Sequence, residues 1–446
     1  MKTKRRTARI LLIVLLPLIF AGVFWAVRNR KAGPGPSWPR VVLVGVDGAG
    51  WNVLRPLFRK NALPVFQSLV GEGSCGTLET IAPTKSSIIW TSIATGKTMV
   101  KHGIVDWTYL DEHDIEVPFS QSERRVKAFW NILTERERPV GVVNWFLTFP
   151  PEKVDGFMIA PAFSGLTRAN FNKVVAVFPP ELQPALRPLR FFDTSNIFEE
   201  QGVPDYRRRP LRGAGGDTLG LIPFFPRFFF QEEAAKRVSF YALDKLRVET
   251  LATYFRLIDI VSHFAAEFID ASLIARAEAE EAAGGLSAAT EAALDAAFSE
   301  VVEPVYRYED RILGELMRLA PPETVFIVCS DHSFYYNRKA YNHHEEPRLA
   351  HGVLFLKGAP IKKGHEVRNA RVYDILPTML YLLGLPVAED MDGRVLTEVI
   401  EERYLRKHPV RTIASYEGDA PVSTAPRDRT FDKKILEELR SLGYIK

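Results

Sequence analysis

Apolar and polar positions follow two regimes along the chain. Unbroken apolar runs stand at 41–46 (VVLVGV), 139–145 (PVGVVNW), 324–330 (TVFIVCS) and 352–358 (GVLFLKG), with a related segment, GTLETI, at 76–81. Short runs of this kind, rich in β-branched residues and closed by turn residues, predict strands buried on both faces of a parallel sheet. Helical patterns lie between them. LPVFQSLVGEG (63–73) has helical spacing and a glycine stop, Ser86 to Thr95 reads as a helix opening after Pro83, and YDILPTMLYLLGL (373–385) as a late helix. The alternation predicts an α/β sandwich around a mostly parallel central sheet.

Two stretches break the rhythm. Residues from about 155 to 250 show no clear alternation and read as an inserted cap, and 271–300 is rich in Ala and Glu and reads as helix interrupted at Gly284-Gly285. Within the first lies LGLIPFFPRFFF (219–230), preceded by Arg207, Arg208, Arg209 and Arg212. Its phenylalanines either fill the core of the cap or dip into a membrane interface. The polar tail ends in ILEELRSLGYI (435–445), a short amphipathic helix able to dock back. The expected organisation is an anchor and linker at 1–39, a catalytic domain at 40–402 and a tail at 403–446.

Residues 10–27 (ILLIVLLPLIFAGVFWAV) are uninterruptedly apolar. As a helix they extend about 27 Å, enough to cross a bilayer core. Five basic residues precede the run and three follow it, and no small-x-small cleavage site stands before Arg28. The expectation is an uncleaved, single-pass anchor with the catalytic domain on the extracytoplasmic side, which in a bacterial cell is the periplasmic face of the inner membrane. The linker AGPGPSWP (32–39) is short and holds the domain near the bilayer.

Composition changes this picture little. The formal charge is +4, but residues 1–31 carry eight basic side chains and no acid, so the remainder is −4. No basic footprint for nucleic acid is present. Cys75 and Cys329 are the two cysteines, too few for a disulfide framework or a cysteine zinc site. Cys329, inside an apolar run, reads as a buried free thiol.

Candidate chemistry gathers at the ends of these elements. Asp47 follows the first strand, Ser86 opens a helix, Asp331 and His332 follow TVFIVCS, and His351 precedes GVLFLKG. Asp259 and His263 are four apart in RLIDIVSHF and project from one helical face. Singly, each has an ordinary role as a turn cap or buried polar side chain. Together they supply Asp, His and His for one divalent cation, and Asp, Asp, His and a serine oxygen for another. Such oxygen and imidazole sets suit zinc, and also manganese. Two cations about 4 Å apart clamp the entering and leaving oxygens of an in-line displacement. A cation-activated serine needs no histidine base.

The segments VVLVGVDGAG, PTKSSIIWTSIATGKTMVKHGI, DIVSH, SDHSF, HGVLFLKG and VYDILPTMLYLLGLPVAEDMDG, in this order, resemble the alkaline phosphatase superfamily in its type I phosphodiesterase/nucleotide pyrophosphatase-like branch. The resemblance implies an alkaline-phosphatase-like fold. It also implies a covalent nucleophile ten residues before Gly96, which is Ser86; Thr84 is the alternative. By the same resemblance Asp47, Ser86, Asp331 and His332 hold one metal, and Asp259, His263 and His351 the other. Three departures stand out. Ser333 replaces the family's usual glycine after Asp-His. Positions 87–90 lack the asparagine of the nucleotide pyrophosphatases. Ser86-Ser87-Ile88-Ile89-Trp90 lacks the Pro and Arg that a sulfatase needs for its formylglycine. The expected activity is hydrolysis of a phosphate mono- or diester, including lipid-linked ones. A transferase using the same site, and a non-catalytic binding protein, are the competing classes.

Overall fold

The computed structural model describes residues 40–206, 211–212, 218–219, 224–265, 271–334, 350–418, 427–441 and 444–445. Its frame is a nine-stranded sheet. In chain order the strands are β1 (Val41–Val46), β2 (Ser74–Glu79), β3 (Val140–Val143), β4 (Gly156–Ile159), β5 (Val177–Phe178), β6 (Thr250–Phe255), β7 (Val325–Cys329), β8 (Gly352–Lys357) and β9 (His365–Arg371). Across the sheet they run β9-β2-β8-β7-β1-β6-β3-β4-β5. β1 pairs in parallel with both β6 and β7. β8 runs antiparallel to β7 and β2, so its first residue lies beside the carboxyl ends of its neighbours.

Nine helices carry the argument: α1 (Trp51–Arg59), α2 (Pro64–Glu72), α3 (Ser86–Thr95), α4 (Phe225–Lys245), α5 (Leu257–Ala265), α6 (Ala271–Ala282), α7 (Ala288–Leu319), α8 (Ile375–Leu382) and α9 (Asp432–Ser441). Successive side chains of β1 point to opposite faces. Val42, Val44 and Val46 join the core that contains Leu54 of α1, Phe66 of α2 and Leu313 of α7. Val41 and Leu43 join the other core, with Ile89 and Ile93 of α3 and Met379 of α8. The result is the expected sandwich. Every residue of α3 is buried. Its threonines satisfy their hydroxyls within the helix, Thr91 on Ser87 O at 2.7 Å and Thr95 on Thr91 O at 2.8 Å, which allows a Ser/Thr-rich helix to sit in the core.

The cap at 155–250 needs correction. β4 and β5 lie in that stretch and extend the main sheet at one edge, and α4 packs against β6. GFMI is only four residues long, too short for an alternating or extended apolar pattern to register. Phe225, Phe228 and Phe229 are buried and pack in the core, whereas Phe224 is exposed. Cys75 and Cys329 are both free thiols. The apolar run at 10–27 lies outside the described residues; among those described, no helix is long and apolar enough to cross a membrane.

Candidate active site at the carboxyl edge of the sheet

The strand ends bring five of the expected side chains into one buried cluster. β1 runs into Asp47 and β7 into Asp331 and His332; α5, entered from β6, carries Asp259 and His263. Gly48 makes the first junction possible. It has φ 78°, and a Cβ there would stand 2.8 Å from Asp259 Cα, so only glycine lets the end of β1 lie against α5. His332 Nε2 lies 3.3 Å from Asp47 Oδ1, 3.5 Å from Asp331 Oδ2 and 3.7 Å from Asp259 Oδ1. His263 Nε2 lies 3.3 Å from the same Asp259 oxygen. Asp259 therefore stands between the two imidazoles. All five side chains are buried.

Outer contacts fix these groups. Asp47 Oδ2 accepts the Tyr254 hydroxyl, and the Trp90 indole N–H at 3.2 Å. Asp259 Oδ2 accepts the hydroxyl of Tyr444, from the chain's tail. His332 Nδ1 is 3.1 Å from Ser333 O, a contact in which the ring must donate. Nε2 thus faces three carboxylates, an arrangement that calls for a positive charge there, either a proton on the ring or a cation bound to its lone pair. Burial opposes a charge on His332 itself, but Asp331, Asp47 and Asp259 together raise its pKa to about 10. Burial and Asp47 likewise raise the pKa of Asp331 well above the usual carboxylate range. Asp47 Oδ1 and both oxygens of Asp331 are buried and accept no hydrogen bond from the described residues. Asp47, Asp259 and His332 each offer a donor atom within 4.8 Å of one another. A divalent cation fits this donor set, because it supplies the charge that the carboxylates and the imidazole lone pair lack.

Ser86 is buried as the first residue of α3, where first-turn N–H groups have no acceptor within the helix. The next turn carries Trp90, which bonds Asp47 and ties α3 to the cluster. The chain on either side of Ser86 is pinned to Asp106. Lys85 Nζ meets its carboxylate at 2.6 Å, and Ser87 Oγ donates to its carbonyl at 2.9 Å. Thr84 is turned into its own loop, with its hydroxyl donating to Ile81 O at 3.2 Å.

His351 behaves differently. It is half-buried beside the start of β8, and its Nδ1 accepts the Thr80 N–H at 3.1 Å. The neutral ring then carries its proton on Nε2 and presents a donor. His351 lies outside the close Asp47–Asp259–His332 group.

Ser333, the departure from the family pattern, is accommodated by its neighbours. Its N–H donates to Ala350 O at 2.8 Å and its Oγ to Asn52 Oδ1 at 2.8 Å. A Cβ on Gly50 would lie 1.9 Å from that Oγ, so the bare glycine provides the room that the serine occupies.

Sequence reasoning missed Tyr254, Tyr444 and the polar role of Trp90, which reads as core. Tyr254 is the penultimate residue of the buried strand TLATYF, five residues before Asp259, and that position was its available signal. Asn144 and Thr148 line a cavity next to this site, whereas Trp145 is wholly buried.

The chain matches the family model for type I phosphodiesterase / nucleotide pyrophosphatase over residues 41–374. A curated relative, human arylsulfatase K, is 30% identical over 112 residues, covering 23% of this chain and 21% of that protein. Thus the match spans about a fifth of the relative's length. A 2-O GAG sulfatase shares the fold at a TM-score of 0.52, with 11% identity, covering 81% of this chain and 74% of its own. Human ectonucleotide pyrophosphatase / phosphodiesterase 5 is similar at a TM-score of 0.44 and 11% identity, covering 81% of this chain and 100% of its own. With three quarters of its length inside the family model, the chain belongs to the type I phosphodiesterase / nucleotide pyrophosphatase family.

Proposed function

We propose that this enzyme hydrolyses a phosphate ester through a phospho-serine on Ser86. The observation that carries the reading is the buried convergence of Asp47, Asp259, His263, Asp331 and His332 beside the helix that Ser86 opens. Asp47, Ser86, Asp331 and His332 would hold one divalent cation, and Asp259, His263 and His351 a second, zinc or manganese in each. When bound, the pair lowers the proton affinity of the serine and offsets charge on the entering and leaving oxygens.

In the first half-reaction Ser86 Oγ bonds to phosphorus as the bond from phosphorus to the alcohol oxygen breaks. The serine proton passes to solvent, and the leaving alkoxide takes one from solvent. In the second, a water oxygen bonds to phosphorus, the bond to Oγ breaks, and Ser86 regains its proton. The N–H groups of Ser86 and Ser87 at the start of α3 would donate to phosphate oxygens. Replacing water by another alcohol in the second half would make the enzyme a transferase. The absence of Pro and Arg after Ser86 argues against sulfate-ester chemistry by formylglycine. The Thr80 bond to His351 favours one variation, in which His351 Nε2 donates to a phosphate oxygen instead of binding a cation. Residues 10–27 would anchor the chain, placing the site outside the cytoplasm near lipid-linked phosphates.

The test is acid-quench trapping with a chromogenic phosphate ester. Wild type should yield phospho-serine at position 86. Ser86→Ala should lose turnover by more than ~10³-fold, with Thr84→Ala mild. An inactive Thr84→Ala beside an active Ser86→Ala would overturn the assignment.

A further inference from the structure

Next to the ligand cluster, and roofed by α9, lies a cavity of about 150 Å³. Trp107, Phe146 and Tyr254 form its inner wall, and the outer wall is formed by Ile435 and Leu439, on one face of α9 at four-residue spacing, with Phe431 just before the helix. Three contacts join it to the site. Tyr254 donates to Asp47, and Tyr444, also lining the cavity, donates to Asp259. Trp107 stacks on Tyr444, with ring centroids 4.6 Å apart, and directly follows Asp106, which holds Lys85 and Ser87 around Ser86.

The arginines at the rim are already paired, and Lys434 Nζ donates to Gly165 O at 2.7 Å. Arg256 pairs with Glu438 at 2.5 Å, and Arg427 with Asp432 at 2.9 Å and Glu123 at 3.3 Å. The same kind of pairing fixes the roof. Glu438 also meets Arg227 at 2.7 Å, and Arg440 meets Glu116 at 2.7 Å.

The geometry points to this cavity as the subsite for the alcohol side of the ester, taking one uncharged apolar group about the size of a single aromatic ring. The inference rests on the phosphate-ester reading above and extends it to substrate class. A dry apolar cavity of this volume is known to accept benzene, and aromatic walls offer edge and offset contacts to a ring. A second phosphate or a charged sugar would find Arg256 and Arg427 already paired and Lys434 held on Gly165 O. The tail is therefore the specificity element of the enzyme.

Benzyl and methyl esters of the same phosphate test this on the full-length protein, because their leaving alcohols have similar acidity. Wild type should favour the benzyl ester in kcat/KM by about 10- to 100-fold. Ile435→Trp, which fills the cavity, should erase that preference by bringing the benzyl-ester kcat/KM down to that of the methyl ester. Leu439→Ala, which enlarges it, should shift preference toward a naphthylmethyl ester. Equal use of benzyl and methyl esters by wild type, or a preference that survives Ile435→Trp, overturns the proposal. If wild type cleaves no phosphate ester, the functional reading fails separately, and calorimetric binding of benzyl alcohol then decides. Saturable binding lost in Ile435→Trp keeps the subsite, and absence of binding overturns it.

Discussion

Tyr254 donates a hydroxyl hydrogen bond to Asp47 from the strand next to the one that Asp47 follows. The two residues meet because Gly45, two positions before Asp47, is in register with Tyr254. Outer hydrogen bonds of this kind orient a ligand carboxylate and set its basicity. Tyr254→Phe keeps the ring and removes the bond. Activity or metal affinity should fall about 10- to 100-fold, with the thermal midpoint little changed. Unchanged kinetics and metal content would show that the Trp90 contact alone positions Asp47.

Metal content separates the two proposed sites. Purified protein should carry about two divalent ions per chain, removable by chelator and restored by zinc or manganese. Elemental analysis should show His332→Ala losing one ion and His263→Ala the other, with His351→Ala matching His263→Ala. Full occupancy in an inactive His351→Ala would instead make His351 a donor to the phosphate, as its bond from Thr80 favours. A fully active enzyme with a single ion would defeat the two-metal scheme.

Gly50 and Ser333 should behave as a coupled pair. Gly50→Ala drives a methyl group into Ser333 Oγ, 1.9 Å from the built Cβ position, and overpacking of this kind costs about 1–3 kcal/mol. Ser333→Gly alone should be mild. The double variant should recover at least ~1 kcal/mol relative to strict additivity, measured by denaturant unfolding. Additive losses would mean that the loop after His332 does not depend on this contact.

His102 gives the fold an acid limit. Its Nδ1 accepts the Ile104 N–H at 3.1 Å, so Nε2–H donates to Ser92 Oγ at 3.1 Å. Burial, then the nearby Arg124, lower its pKa to about 3. The folded state therefore resists a proton that the unfolded chain binds near pH 6.5. The His102 contribution is whole above that pH and is lost as pH falls from about 6.5 toward 3. The loss is on the order of 2–4 kcal/mol. His102→Gln should flatten that part of the stability profile in urea melts. An unchanged slope between pH 6.5 and 4 would place the acid sensitivity elsewhere.

Much of the sheet was legible because its central strands are continuous apolar runs. VVLVGV and TVFIVCS became β1 and β7, and the helix expected from Ser86 to Thr95 has those bounds. β4 and β5 were not legible, since strands of four and two residues carry too little periodicity. At the site, Asp259 and His263 were readable from their four-residue spacing, and Asp331-His332 from the strand before them. Tyr444 was not, because nothing local in RSLGYIK marks a side chain that reaches Asp259, 185 residues away. Its position depends on where α9 docks, which is a tertiary matter. His351 shows the limit of motif reasoning: its place at the sheet edge was expected, but the proton carried by its ring follows from a bond with Thr80.

The pairing of β1 also sets the timetable of folding. Val41 registers with Thr250 on one side and Val325 on the other. The strand at the middle of the sheet thus acquires neither neighbour until more than two hundred further residues have been synthesised. Contacts this distant in sequence make for slow folding, and they leave an apolar VVLVGV edge open to other chains in the meantime. Asp47 stays a solvated carboxylate throughout that interval, because Tyr254 and His332 come from the same late partners. Fragments ending before β7 should therefore aggregate and bind no metal at Asp47, and productive folding should benefit from chaperones that shield the first strand.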